Sequence, residues 1–135
     1  MTISLFLKLY AVAFLSFMLM DLVWLGVVAR SFYRAELGHL MRPDVNWAAA
    51  VLFYLIFVTG IVVFAVCPAI ERKSLAHAVA LGAFFGLVTY AAYDLTNLAT
   101  LEGFPVRMVV VDMLWGMVLC TSISSITYMA SIRIG

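Results

Sequence analysis

Apolar residues run along this chain in four long, almost uninterrupted stretches, and polar residues serve mainly to punctuate them. The stretches cover about 9–29, 47–67, 75–101 and 106–131. A helix rising about 1.5 Å per residue needs roughly 20 such residues to cross a hydrocarbon layer about 30 Å thick, so each stretch predicts a membrane-spanning helix. Arg30 closes the first. Pro68 is expected to stop the second, because proline removes a helical N–H and its ring crowds the preceding turn. The Glu102-Gly103-Phe104-Pro105 turn opens the fourth. The fold class is all-α: a four-helix transmembrane bundle forming a single domain over 1–135. The first stretch is too long, and Lys8 too thin a basic region, for a cleaved signal peptide, so it is read as a retained helix.

The connector 30–46 has a different period. Tyr33, Leu37, Leu40 and Met41 fall at i, i+4, i+7 and i+8, with Arg30, Arg34 and Arg42 elsewhere. This predicts a short helix lying in the headgroup region and ending near Gly38 or Pro43. The competing reading is a solvated connector whose periodicity is chance.

Composition supports the membrane reading. Of 135 residues, 67% are hydrophobic and 11% charged, with mean hydropathy +1.15, against roughly 45–50% and about 25% for a soluble domain. Disordered, collagenous, coiled-coil and disulfide-scaffold classes are excluded. Net charge is +1 with no basic run, which argues against nucleic acid as a partner and leaves the lipid bilayer. The apolar outer faces of the first two spans suit lipid or a second copy in a homodimer. Orientation is a tie. Lys8, Arg72, Lys73 and Arg133 lie at one face and Arg30, Arg34, Arg42 and Arg107 at the other, which also admits dual insertion. Cys67 and Cys120 differ in depth by over about 10 Å, too far for a disulfide, and read as packing residues.

Asp21, Asp94 and Asp112 change the picture, because ionisable groups within a span are costly and default to functional hypotheses. With alternating span directions, all three fall in the leaflet nearest the first and third loops, and Tyr54 joins them. On the third span Ala78, Gly82, Gly86, Tyr90 and Asp94 recur every four residues; on the fourth Asp112, Gly116, Cys120 and Ser124 do the same. Run antiparallel, these stripes match, which predicts a tight hairpin with Asp94 near Asp112. Asp21/Trp24 and Asp112/Trp115 are i, i+3 pairs, predicting an indole beside each acid on its own helix.

No Lys or Arg occurs at that depth, so three carboxylates cannot all be ionised without a compensating positive charge. The compensations open to the chain are protonation, a metal held by Asp21, Asp94 and Asp112, a cationic ligand, or Arg30, Arg34 or Arg107 reaching in. Aromatic faces around carboxylates suit an organic cation. The candidate ligand-binding set is therefore Asp21, Trp24, Tyr54, Tyr90, Tyr93, Asp94, Thr96, Asn97, Asp112 and Trp115. The plainer account of the aromatics is the belt that Trp and Tyr form at bilayer interfaces.

No phosphate loop, nucleophile elbow or dinucleotide fingerprint is present, no cofactor is expected, and no catalytic residue is assigned. Tyr93-Asp94 with Asp112 faintly suggests an intramembrane aspartic protease, but Val-Val-Val precedes Asp112 where those enzymes carry Gly-x-Gly. The leading reading is a non-enzymatic pocket that binds or transports a proton, a metal or a small organic cation. The alternatives are a membrane enzyme or accessory protein acting on lipids, and a structural partner whose aspartates are neutral helix-to-helix hydrogen bonders.

Several runs together resemble one family. They are Asp21-x-x-Trp24-Leu25-Gly26, Phe32-Tyr33 with Leu37-Gly38, Phe53-Tyr54, Gly86-Leu87-x-x-Tyr90, Tyr93-Asp94-Leu95-Thr96-Asn97 and Asp112-x-x-Trp115-Gly116. The chain resembles, over essentially its full length, the bacterial 2177 domain-of-unknown-function family of four-span inner-membrane proteins. The resemblance implies a small multi-pass protein of the bacterial inner (plasma) membrane and implies no activity.

Overall fold

A computed structural model describes residues 1–135. Four helices are long and apolar enough to span a membrane: α1 Ile3–Val28, α3 Trp47–Arg72, α4 Leu75–Thr100 and α5 Val106–Ile134. A short helix, α2 Arg30–Leu37, follows α1 and passes into a 3-10 turn at Gly38–Leu40.

The spans begin and end later or earlier than hydropathy suggests, for local reasons. α1 starts six residues before the apolar run, because Thr2 caps it: its Oγ1 accepts from the Leu5 N–H at 3.1 Å. Lys8 thus lies inside the span, exposed, where its flexible stem can carry the ammonium toward the headgroups. α3 does not stop at Pro68. A π-helical turn over Val62–Val66 widens the helix just before it, and Pro68 then sits in the first turn of the closing segment Cys67–Arg72, where its missing N–H does least harm. α3 ends at Lys73, which takes a left-handed conformation (φ 51°), and Ser74 caps α4 by accepting from His77 N–H. α5 continues to Ile134.

The connector forms the helix that its period predicts, but its stripe divides. Tyr33 and Leu37 pack on Phe104, Met108 and Val109, whereas Leu40 and Met41 remain exposed beyond the end of α2. α2 is one turn too short to carry all four to the same surface.

The α4–α5 hairpin is the closest pairing in the molecule. A Cβ added at Gly82 would lie 2.8 Å from the Cys120 carbonyl oxygen, and one at Gly86 would strike the Gly116 carbonyl. Two backbones this close exclude any side chain between them, which is why the small stripe recurs every fourth residue. α1 lies against α5 and α3, and Ala13, Phe17, Phe57, Val58, Ile61, Leu119 and Ile123 make the main core. α3 meets α4 closely from its π-helical turn onward. Toward its start, only large side chains bridge the gap: Phe57 to Phe85 at 5.5 Å and to Tyr90 at 6.2 Å between ring centroids. The bundle is therefore tight at one end and parted at the other.

Candidate functional site in the acidic layer

The parted end contains the three aspartates. Counting helical rise from the nearest helix end, Asp21, Tyr54, Asp94 and Asp112 all lie about 9–11 Å below the ends of their helices. The expected layer is real. Asp94 is fully buried, while Asp21 and Asp112 are half-buried.

Each acid makes a different contact. The Asp94 carboxyl neighbours that of Asp112, and neither of its oxygens has a hydrogen-bond partner in the chain. Tyr33 Oη donates to Asp112 Oδ1 at 2.6 Å and accepts from Trp24 Nε1 at 3.2 Å. Burial, and then the bond to Asp112, raise the Tyr33 phenol above its ordinary range, so it keeps its proton and acts as donor. The Trp24 and Trp115 rings stack 4.3 Å apart at 7°.

Within that stack each indole turns its N–H away from the acid three residues off on its own helix. Trp115 of α5 is the indole beside Asp21 of α1, although its Nε1 stops short of a formed hydrogen bond. Trp24 of α1 serves Asp112 of α5, through Tyr33. Laid face to face, the two rings carry each N–H across to the neighbouring helix.

Between α3 and α4 lies a half-open cavity of about 270 Å³, lined by Phe53, Phe57, Thr89, Tyr90, Tyr93 and Asp112. Its one charge-bearing group is Asp112; its walls are mostly ring faces. Phe53 and Tyr93, 50% and 54% exposed, form the outer rim, so the opening faces sideways out of the bundle. Asp94 stands behind Asp112, closed off from the surface.

The sequence pattern of predicted membrane proteins designated DUF2177 matches residues 6–129. The chain belongs to the DUF2177 family. No curated protein and no solved structure matches it.

Not every expected residue of this DUF2177 chain reaches the cavity. Thr96 is exposed and spends its hydroxyl on the backbone of its own helix, at Ala92 and Tyr93. Asn97, half-buried one turn beyond Tyr93, lies outside the lining. Tyr54 packs on Phe17, with centroids 5.3 Å apart, and neighbours Asp21 rather than Asp112. A metal cage from all three acids is not formed: no three His, Cys, Asp or Glu side chains converge to hold an ion, because Asp21 faces Trp115 while Asp94 and Asp112 face each other. Arg30, Arg34 and Arg107 are all exposed instead of reaching inward.

Four participants escaped the sequence reading of the site. Phe53 and Phe57 are i, i+4 on α3, as are Thr89 and Tyr93 on α4, so the periodicity that located Tyr93 could have located them. Tyr33 gave only an interfacial signal, since nothing local tells that α2 folds back onto α5. Its role is checkable. Tyr33→Phe leaves Asp112 and Trp24 Nε1 without their partner, and is expected to destabilise the protein by about 1–3 kcal/mol in a detergent unfolding titration.

Proposed function

We propose that the cavity between α3 and α4 binds a small organic cation, such as a protonated or quaternary amine, with Asp112 as its counter-charge and Tyr90, Tyr93, Phe53 and Phe57 as its walls. The observation that carries this reading is a single carboxyl set among ring faces in a 270 Å³ cavity. A cation there gains from the charge and from the ring quadrupoles at once, and the dry surroundings strengthen both. A metal is the weaker candidate, since it would find two carboxyls and no third ligand. The Asp94–Asp112 pair supplies the rest of the chemistry. With the cavity empty, the two facing acids are kept neutral enough by a proton between them; an arriving cation takes the place of that proton. Binding coupled to proton release is the elementary step of a cation–proton exchanger, and transport is the extension we attach to it. We take the membrane to be the bacterial inner one, as the family resemblance implies.

The sideways opening favours one further reading, that of an accessory or enzyme acting on lipids, since a bilayer component reaches Asp112 without passing through water. Calorimetry on purified protein separates the two. Tetramethylammonium and tetraethylammonium should bind saturably, with sodium and magnesium ineffective. No saturable heat with any cation would remove the cation reading.

A further inference from the structure

The acidic cavity has a floor, and the residue that fixes its height does not itself line the cavity. Gly116 lies on α5 one helical turn deeper in the bundle than Asp112. Side chains at Gly82 and Gly86 would strike the backbone of the facing helix, whereas Gly116 faces a ring. A Cβ there would lie 2.3 Å from Tyr90 Cγ, 2.4 Å from Cδ1 and 2.7 Å from Cδ2. Three ring carbons at such similar distances mean that the phenol lies face-on against α5. Tyr90 in turn lines the cavity, as Asp112 does, and Phe57 of α3 stands 6.2 Å from it between ring centroids. The ring is thus the inner floor beneath the Asp112 carboxyl, and it rests on the bare Cα of Gly116.

A side chain at 116 can be accommodated without parting the helices only if the ring moves. The atoms it would meet are at the root of the ring and not at its far end, so the whole ring must retreat by about 1 Å or more to regain van der Waals distance. The empty space beside the ring is the cavity that it lines. We propose that Gly116 is a positioning residue that sets, through the Tyr90 ring, the largest ammonium ion the cavity accepts. The ligand is that of the cation reading, on which this rests, and it gains a size: compact ammonium groups with short arms fit and long-armed ones do not. Fit of this kind discriminates well, since one methylene in a close apolar pocket is worth about tenfold or more.

Calorimetry on the full-length protein with tetramethylammonium, tetraethylammonium and the bulkier tetrabutylammonium tests it. Gly116→Ala should weaken tetraethylammonium relative to tetramethylammonium by about tenfold or more. Tyr90→Ala should admit tetrabutylammonium, which the unaltered protein should reject, and Tyr90→Phe, keeping the ring, should keep the order of sizes. In the Tyr90→Ala background Gly116→Ala meets no ring, so it should leave the ratio of the two smaller ions unchanged. If Gly116→Ala alone does not fold, its folding in that background and the admission of tetrabutylammonium by Tyr90→Ala carry the test. A ratio unmoved by Gly116→Ala while both ions bind would overturn the inference and spare the cation reading. So would an equal shift in the Tyr90→Ala background, which would mean that alanine acts by parting α4 from α5. If the unaltered protein binds neither ion, the cation reading falls, and xenon, a neutral probe of apolar cavities, decides between the outcomes by itself. Its uptake should drop in Gly116→Ala and return in the double variant; uptake indifferent to the alanine would overturn the inference.

Discussion

Gly86→Val is expected to break the α4–α5 hairpin and lower stability by about 3 kcal/mol or more. Its first side-chain carbon would meet the Gly116 carbonyl and the Met117 Cα, both backbone, so no rotamer change relieves the clash. The helices must separate, and overpacking of this kind costs about 1–3 kcal/mol even where side chains can yield. Separation would also pull Asp94 away from Asp112, leaving the buried Asp94 carboxyl with no partner at all. The internal control is Gly26→Ala, which meets nothing within 4 Å and replaces glycine by a better helix former. It should be neutral or slightly stabilising. Unfolding of both variants in a mixed detergent–denaturant titration checks the contrast; equal losses would show that glycine matters here for something other than helix approach.

The second large effect is on binding. Asp112→Asn should weaken organic-cation binding about 100-fold, because losing one partner of a partly buried charge pair costs about 2–5 kcal/mol. Asparagine keeps an oxygen to accept from Tyr33, so the Trp24–Tyr33 bridge and the fold should survive. Asp94→Asn should weaken binding by about tenfold, since Asp94 acts from behind, through its neighbour, and does not line the cavity. Thr96→Ala should be silent, its hydroxyl being spent on its own helix. If Asp112→Asn and Asp94→Asn both leave binding intact in folded protein, the aspartates are structural hydrogen bonders only.

The span count, the matching stripes of α4 and α5 and the depth of the acids were all legible in the sequence. Each depends on one helix's own period and on alternating span direction. The partners of the acids were not legible, because they depend on how helices rotate against one another. The Trp24–Trp115 stack is the instructive case: spacing along a helix sets each indole near its own acid, but only the packing turns its N–H toward the acid of the other helix. The passage of α3 through Pro68 was equally hidden, since a π-helical turn leaves no mark in hydropathy. Thr96 looked like a site residue by adjacency to Asp94, yet two positions along a helix is nearly the opposite face.

The central claim is an exchange of a cation for a proton at the Asp94–Asp112 pair, and counting protons tests it most directly. Calorimetric titration of tetraethylammonium into the protein, repeated in two buffers of different ionisation enthalpy, gives the number released. About one proton should be released per cation bound, and none on binding to Asp94→Asn. Binding of undiminished strength with no proton released, at any pH where the protein is folded, would contradict it.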